Sequence, residues 1–238
     1  MRARLQPAYL LHRRPYRESS QLLELLTVEH GRVGALARGL RRRSRGGAAG
    51  ALLQPFAPLL VSLRGRGELK SLSAVETAGG LLPLRGDALL SAFYVNELLM
   101  RLLQREEAQP AIFRAYALAL GALADGDEIE PVLRRFECLL LRELGYGFAF
   151  DRDAVSGERV RPEGRYRFEP GLGLRPAPLG DASGSVSGEH LLRIAADDFG
   201  DGAGRVAKRL LRRALAELLG GRPLSSRQLF LRRRAPGR

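Results

Sequence analysis

Gln21-Leu22-Leu23-Glu24-Leu25-Leu26-Thr27-Val28, a turn at His30-Gly31, then Val33-Gly34-Ala35-Leu36-Ala37 closed by Arg38-Gly39, is the stretch on which the fold turns. Two short apolar runs, each bounded by turn residues, read as strands joined tightly. Working outward, a run at Ala8, Leu10 and Leu11 precedes them across the polar turn Arg13-Arg14-Pro15-Tyr16-Arg17-Glu18. Leu59 to Leu63 and Leu69 to Val75 follow, separated by Gly65-Arg66-Gly67. Five short strands within about 75 residues predict a small barrel or sandwich. An OB-fold and an SH3-like barrel both have that strand count, so counting does not choose between them.

From about residue 85 the apolar spacing becomes helical. Leu90, Phe93, Tyr94, Leu98 and Leu102 recur at intervals of three and four, with Asp87 as the expected N-cap. Pro110 opens a second helix and a third begins near Pro131, stopped by Gly145. Residues 145–186, rich in Gly, Pro and Arg, read as an irregular excursion with room for a hairpin around Tyr166-Arg167-Phe168. Helical spacing returns at Ser187 and from Gly204 to Leu219, and Arg232 to Arg238 read as a frayed basic tail. The expected class is α+β: a small β-barrel at 1–80, then a helical domain at 81–238.

The 238 residues carry a net charge of +13, which calls for a polyanionic partner. Arginine supplies nearly all of it, since Lys70 and Lys208 are the only lysines. The excess is uneven: residues 1–80 are net +9, residues 81–150 net −3 and residues 151–238 net +7. There is no apolar run of spanning length and no leader-like opening, so membrane insertion and secretion are not expected. One cysteine, Cys138, excludes an internal disulfide and fits a cytoplasmic setting.

Signals for catalysis are poor. His12, His30 and His190 are far apart in sequence, and Cys138 sits within the apolar run Phe136 to Leu141. Asp125 to Glu130 lacks the ordered spacing of a calcium loop, and Gly171-Leu172-Gly173 lacks the third glycine of a dinucleotide loop. No Walker loop or nucleophile elbow occurs. No enzyme, metal or cofactor is expected.

Signals for binding are better. Arg38, Arg41, Arg42, Arg43 and Arg45 crowd one Gly-rich connection between two strands, where charges must meet water or a polyanion. Arg64, Arg66 and Lys70 flank the next turn. Near the C-terminus, Arg205, Lys208, Arg209, Arg212 and Arg213 share one helix face opposite an apolar one. These are the candidate DNA contacts; a solvated charged loop and an ordinary amphipathic helix are the plainer alternatives.

Leu11-His12-Arg13-Arg14-Pro15-Tyr16-Arg17-Glu18-Ser19-Ser20, Gly31-Arg32-Val33, Leu53-Gln54-Pro55-Phe56 and Gly67-Glu68-Leu69-Lys70-Ser71-Leu72 stand in an order that, with several later segments, resembles the bacterial RecO family. The later segments are Tyr94-Val95-Asn96-Glu97-Leu98-Leu99, Leu133-Arg134-Arg135-Phe136-Glu137, Leu144-Gly145-Tyr146-Gly147, Ala207-Lys208-Arg209 and Pro223-Leu224-Ser225-Ser226-Arg227. The resemblance implies an N-terminal OB-fold followed by a helical domain. It also implies binding of single- and double-stranded DNA, annealing of complementary strands, and cooperation with RecR in loading RecA onto coated single strands. Many relatives carry a four-cysteine zinc motif after the Leu-Gly-Tyr segment; Asp151 to Glu158 holds no cysteine, which implies the zinc-less branch. The resemblance further implies a receptor for the acidic tail of the single-stranded DNA-binding protein. Such a receptor needs an apolar pocket with arginine at its rim. Arg134 and Arg135 are the candidates, with Arg134 favoured because Phe136 and Leu140 are expected to point into the core. The rival classes are an OB-containing RNA or ribosome-associated factor and a metal-dependent nuclease.

Overall fold

A computed structural model describes residues 4–38, 47–178 and 184–234. Its first five strands are β1 (Gln6–Tyr16), β2 (Ser20–Thr27), β3 (Gly31–Ala37), β4 (Pro58–Arg64) and β5 (Leu69–Thr77), with a short helix α1 (Gly47–Leu52) between β3 and β4. They close into a barrel in the order β1-β2-β3-β5-β4. β3 pairs with β5 in parallel, and all other neighbours are antiparallel. This connectivity, with a helix between the third and fourth strands, is that of an OB-fold and resolves the choice that strand counting left open.

The period-two pattern explains closure. Leu23 and Leu25, Val33 and Ala35, and Leu59 and Val61 alternate inward and form one core with Ala8, Leu10 and Leu53. The small residues at 8, 35 and 37 let so narrow a barrel fill without voids. On the outer side of β1, Tyr9 and Leu11 are buried as well. They lie beneath α2 (Gly86–Leu102) and α3 (Pro110–Asp125). Tyr9 packs edge-on against Tyr116 at 5.0 Å, and a buried relay joins helices to strand. In it the Tyr116 hydroxyl donates to Asn96 Oδ1 (2.6 Å), and Asn96 Nδ2 donates to the Leu11 carbonyl (3.0 Å).

The segment between α2 and α3 runs along β3. The Glu106 N–H donates to the Arg32 carbonyl (2.9 Å), and Gly31, in the left-handed region, has no room for a side chain: a Cβ there meets the Glu107 carbonyl oxygen at 1.8 Å.

Further helices are α4 (Ile129–Glu143), α5 (Gly188–Ala195), α6 (Ala203–Leu218) and α7 (Ser225–Arg234), and the remaining strands are β6 (Arg165–Glu169), β7 (Gly173–Pro176) and β8 (Val186–Ser187). Asp87, the expected cap of α2, lies inside its first turn, with Arg85 at the cap; there it faces the positive helix end. Pro110 takes the first helical position of α3 as expected. The excursion at 145–186 contains more order than its composition suggested: β6 is the centre of a small sheet, β7-β6-β8, in which Phe168 faces Leu174 and Tyr166 faces Val186. The basic end differs too. Arg232 to Arg234 belong to α7, whose first two N–H groups donate to the Glu97 carboxylate of α2 at 2.7 and 2.8 Å. Such remote capping cannot be seen from a helix's own sequence.

Contacts divide the chain into two compact units, one of Met1–Gly126 with Leu224–Arg238 and one of Asp127–Pro223. The first holds the barrel, α2, α3 and α7. In the second, α6 packs on α4 and α5, and the small sheet joins them.

Candidate nucleic-acid interface and a cleft in the second unit

In an OB-fold the outer face of strands two and three, with the loops joining strands one–two and four–five, is the usual place for an oligonucleotide. Here the outer face of β2 and β3 is largely taken. Glu24 accepts from Arg32 Nε (3.0 Å) and from Arg105, and Arg32 also donates to the Met100 and Leu103 carbonyls. Lys70 is drawn into the same network by Glu106 at 2.7 Å, its side chain only 14% exposed. These cations are neutralised by neighbours.

The exposed cations lie at the strand ends. β1 runs on beyond its pairing with β4 as one arm of a hairpin with β2, and His12, Arg13 and Arg14 on it are exposed although they alternate in direction. Arg17, at the turn, stacks on Tyr16 at 5.2 Å. β3 ends with Ala37 opposite Gln21, so exposed Arg38 follows at the level of the hairpin's turn. Arg64, the last residue of β4, and Arg66, in the four–five connection, are exposed as well. Arg41, Arg42, Arg43 and Arg45 lie outside the described residues. Sequence alone marks Arg13, Arg14 and Arg17 as turn residues only. Their signal is the high charge of that turn, but the length of the hairpin cannot be read from it.

In the second unit, Arg205, Arg209, Arg212 and Arg213 are exposed on α6. Lys208 is held by Glu130, Arg209 donates to the Ser185 carbonyl at 3.4 Å, and Arg213 lies over the Phe168 ring at 5.7 Å.

The second unit also has a cleft of about 760 Å³ between α4, the segment after it, and α5. Leu139, Phe148, Phe150, Ile194 and Phe199 give it apolar walls, and Arg135 and Arg142 add positive charge. Arg134, the arginine favoured from sequence, does not line it. Its side chain is buried (3% exposed) and paired with buried Glu137 at 2.9 Å. The expectation that residues 136 and 140 point into the core is correct, but position 134 shares that inward face, being one turn from 137. Arg135 is the one turned outward: its Nε donates to both oxygens of Asp197 (2.9 and 2.8 Å) and its guanidinium lies over Phe199. Cys138 also lines the cleft, but burial first, and the Glu137 charge second, push its thiol up to about 12. Such a thiol is not a nucleophile at neutral pH.

Asp151 to Glu158 forms a turn held by Asp153, which accepts from the Val155 N–H at 3.0 Å and from the Ser156 hydroxyl at 2.6 Å. Among the described residues no three of His, Cys, Asp and Glu group so as to hold a metal ion, and no helix is long and apolar enough to cross a membrane.

The barrel topology and helical remainder define an OB-fold protein with basic strand ends. Two family models cover almost all of it: Recombination protein O N terminal matches residues 1–81 and Recombination protein O C terminal matches residues 84–228. The chain is 49% identical over 234 residues to the DNA repair protein RecO of Pseudomonas aeruginosa (strain PAO1), covering 98% of this chain and 97% of that one. It is 48% identical over 230 residues to the DNA repair protein RecO of Methylococcus capsulatus, covering 96% and 93%. The protein of that name from Halorhodospira halophila is 46% identical over 230 residues, covering 94% and 95%. The chain belongs to the recombination protein O (RecO) family, whose field is DNA repair and recombination.

Proposed function

We propose that this chain is a cytoplasmic, non-enzymatic mediator of recombinational repair that binds single- and double-stranded DNA, anneals complementary strands and, with RecR, helps load RecA onto coated single strands. The observation that carries the reading is a closed OB barrel whose own face is filled while arginines stand exposed at its strand ends. A filled face leaves little surface for reading bases. Arginines at strand ends and loops suit phosphates, which give affinity without sequence preference. In this reading Arg38, Arg64 and Arg66 make contacts with Arg13, Arg14 and Arg17, and the connection bearing Arg41, Arg42, Arg43 and Arg45 adds to them. Lys70 is a poor contact while Glu106 holds it. Arg209 and Arg212 on α6 form a second cationic surface, and Lys208 belongs to it only when released by Glu130. Annealing needs only that phosphate repulsion be screened and strands concentrated, so neither nucleotide nor divalent metal enters.

The cleft of the second unit is the proposed receptor for the acidic tail of the single-stranded DNA-binding protein. Its aromatic walls suit an apolar terminal side chain, and Arg135 with Arg142 suits the carboxylate. Arg134, buried on the other side of α4 and paired with Glu137 of the same helix, makes no contact with the ligand in this reading.

The test is annealing of complementary strands, naked and coated with the cognate single-stranded DNA-binding protein, in chelator and without nucleotide. Annealing under both conditions is expected. A strict requirement for nucleotide or metal on naked strands overturns the reading.

A further inference from the structure

Asp197 sits where an aspartate is doubly unfavourable. It follows the C-terminus of α5, whose closing pattern has the Asp197 N–H donating to the Ile194 carbonyl (3.0 Å) and the Asp198 N–H to the Arg193 carbonyl (2.9 Å). That pattern places its third partner in the left-handed region, where glycine or asparagine is usual, and Asp197 has φ +61°. The helix C-terminus also carries partial negative charge, which disfavours a carboxylate. Both costs are borne by a side chain that is itself about half exposed.

What the carboxylate does is occupy Arg135 on the wall of the cleft. The neighbouring acids are committed elsewhere: Asp198 and Asp201 both accept from Arg193, at 2.8 and 2.7 Å. Asp197 alone of the three reaches Arg135, and both line the cleft with Arg142 and Asp151. Arg142 in turn is paired with Glu143 at 3.3 Å, so each arginine of the cleft already has a carboxylate beside it.

We propose that Asp197 is a built-in competitor: a ligand carboxylate reaches Arg135 by exchanging with it. The proposal rests on the reading of the cleft as a receptor for an acidic peptide with a free terminal carboxylate. Exchange has a signature that a vacant arginine lacks. Swapping one ion pair for another leaves the number of pairs unchanged, so salt screens both sides alike and affinity depends weakly on ionic strength. The competitor also raises the threshold for weak ligands. A lone surface carboxylate gains little by displacing Asp197, whereas a peptide that also fills the apolar walls gains their burial.

The experiment is titration of a labelled acidic peptide ending in phenylalanine, as the free acid and as the amide, into the full chain at several salt concentrations. The variants are Asp197→Asn, Asp197→Gly and Arg135→Ala. Asn and Gly both accept the left-handed backbone, so neither strains the turn. Both are expected to bind the free-acid peptide about two- to fivefold tighter than wild type, as suits loss of a half-exposed ion pair. Both are also expected to show a steeper loss of affinity with salt and little gain for the amide. Arg135→Ala is expected to weaken binding and to abolish the effect of Asp197→Asn in the double variant. If wild type binds and Arg135→Ala weakens it, but both Asp197 variants bind equally or more weakly with an unchanged salt slope, the competitor role is wrong and the receptor reading stands. If wild type does not bind the peptide, the receptor reading itself fails.

Discussion

Arg134 and Arg135 are neighbours in the chain and opposites in environment. The first is buried against Glu137; the second is half exposed and held by Asp197. Arg134→Ala leaves a buried carboxylate without this partner, and a loss of roughly 3 kcal/mol is expected in urea unfolding. Arg135→Ala removes an exposed pair and should cost under about 1 kcal/mol. Equal losses would contradict these environments. Cys138 gives a second test at this scale. With its thiol pushed up to about 12, native protein should resist a thiol reagent at neutral pH and react fully once unfolded. Rapid native labelling would mean that the thiol is more open than its surroundings allow. Gly31 gives a third. Gly31→Ala sets a methyl against the Glu107 carbonyl in a left-handed backbone, so destabilisation of at least about 1–2 kcal/mol is expected by thermal unfolding.

Among the elements, α7 depends on a group far away in sequence. Burial raises the Glu97 carboxyl, but hydrogen bonds from Ser226 and Ser225, with the Arg101 charge, outweigh it and hold the group below its ordinary 4.5. A lowered carboxylate contributes stability that is complete above its ordinary value and disappears as pH falls through the folded one. Protection of the amides of Ser225 to Phe230, relative to their intrinsic exchange at each pH, should therefore fall on acidification below the ordinary carboxylate range, before the barrel strands open. Glu97→Gln should show the faster exchange already at neutral pH; protection equal to wild type would mean that α7 is held by its apolar contacts alone. The β1–β2 hairpin is the other element with a separate role. Arg14→Ala/Arg17→Ala/Arg38→Ala should flatten the salt dependence of single-strand binding by about 0.7 in slope for each phosphate that is no longer neutralised. An unchanged slope in a folded variant would move the DNA site to the connection bearing Arg41 to Arg45 or to α6.

At the scale of the whole molecule, short apolar runs bounded by turn residues were enough to mark five strands, and within three of them Leu23 and Leu25, Val33 and Ala35, and Leu59 and Val61 share the inner face, because side-chain direction in a strand is a local property of period two. The helices at 86–102 and 110–125 were likewise legible from apolar spacing and Pro110. The ordered segments shared with the RecO family carried the OB-fold and the field of repair, both of which the closed barrel and the family matches bear out. Charge density marked the basic regions, since arginine in a Gly-rich turn cannot be buried. Sequence did not tell which cations are available. Lys70, Arg32 and Lys208 look as free as Arg38 in one dimension, yet each is neutralised by a carboxylate 8 to 78 residues away. Whether an arginine meets solvent, a core carboxylate or a cleft depends on which distant residues the fold delivers beside it. Helix rotation decided between Arg134 and Arg135: adjacent residues point about 100° apart, and only packing against α6 determined which of the two faced inward. The barrel was written in local periodicity; the cleft, the cap on α7 and the occupied face of β2 and β3 came from long-range pairing, which local periodicity does not encode.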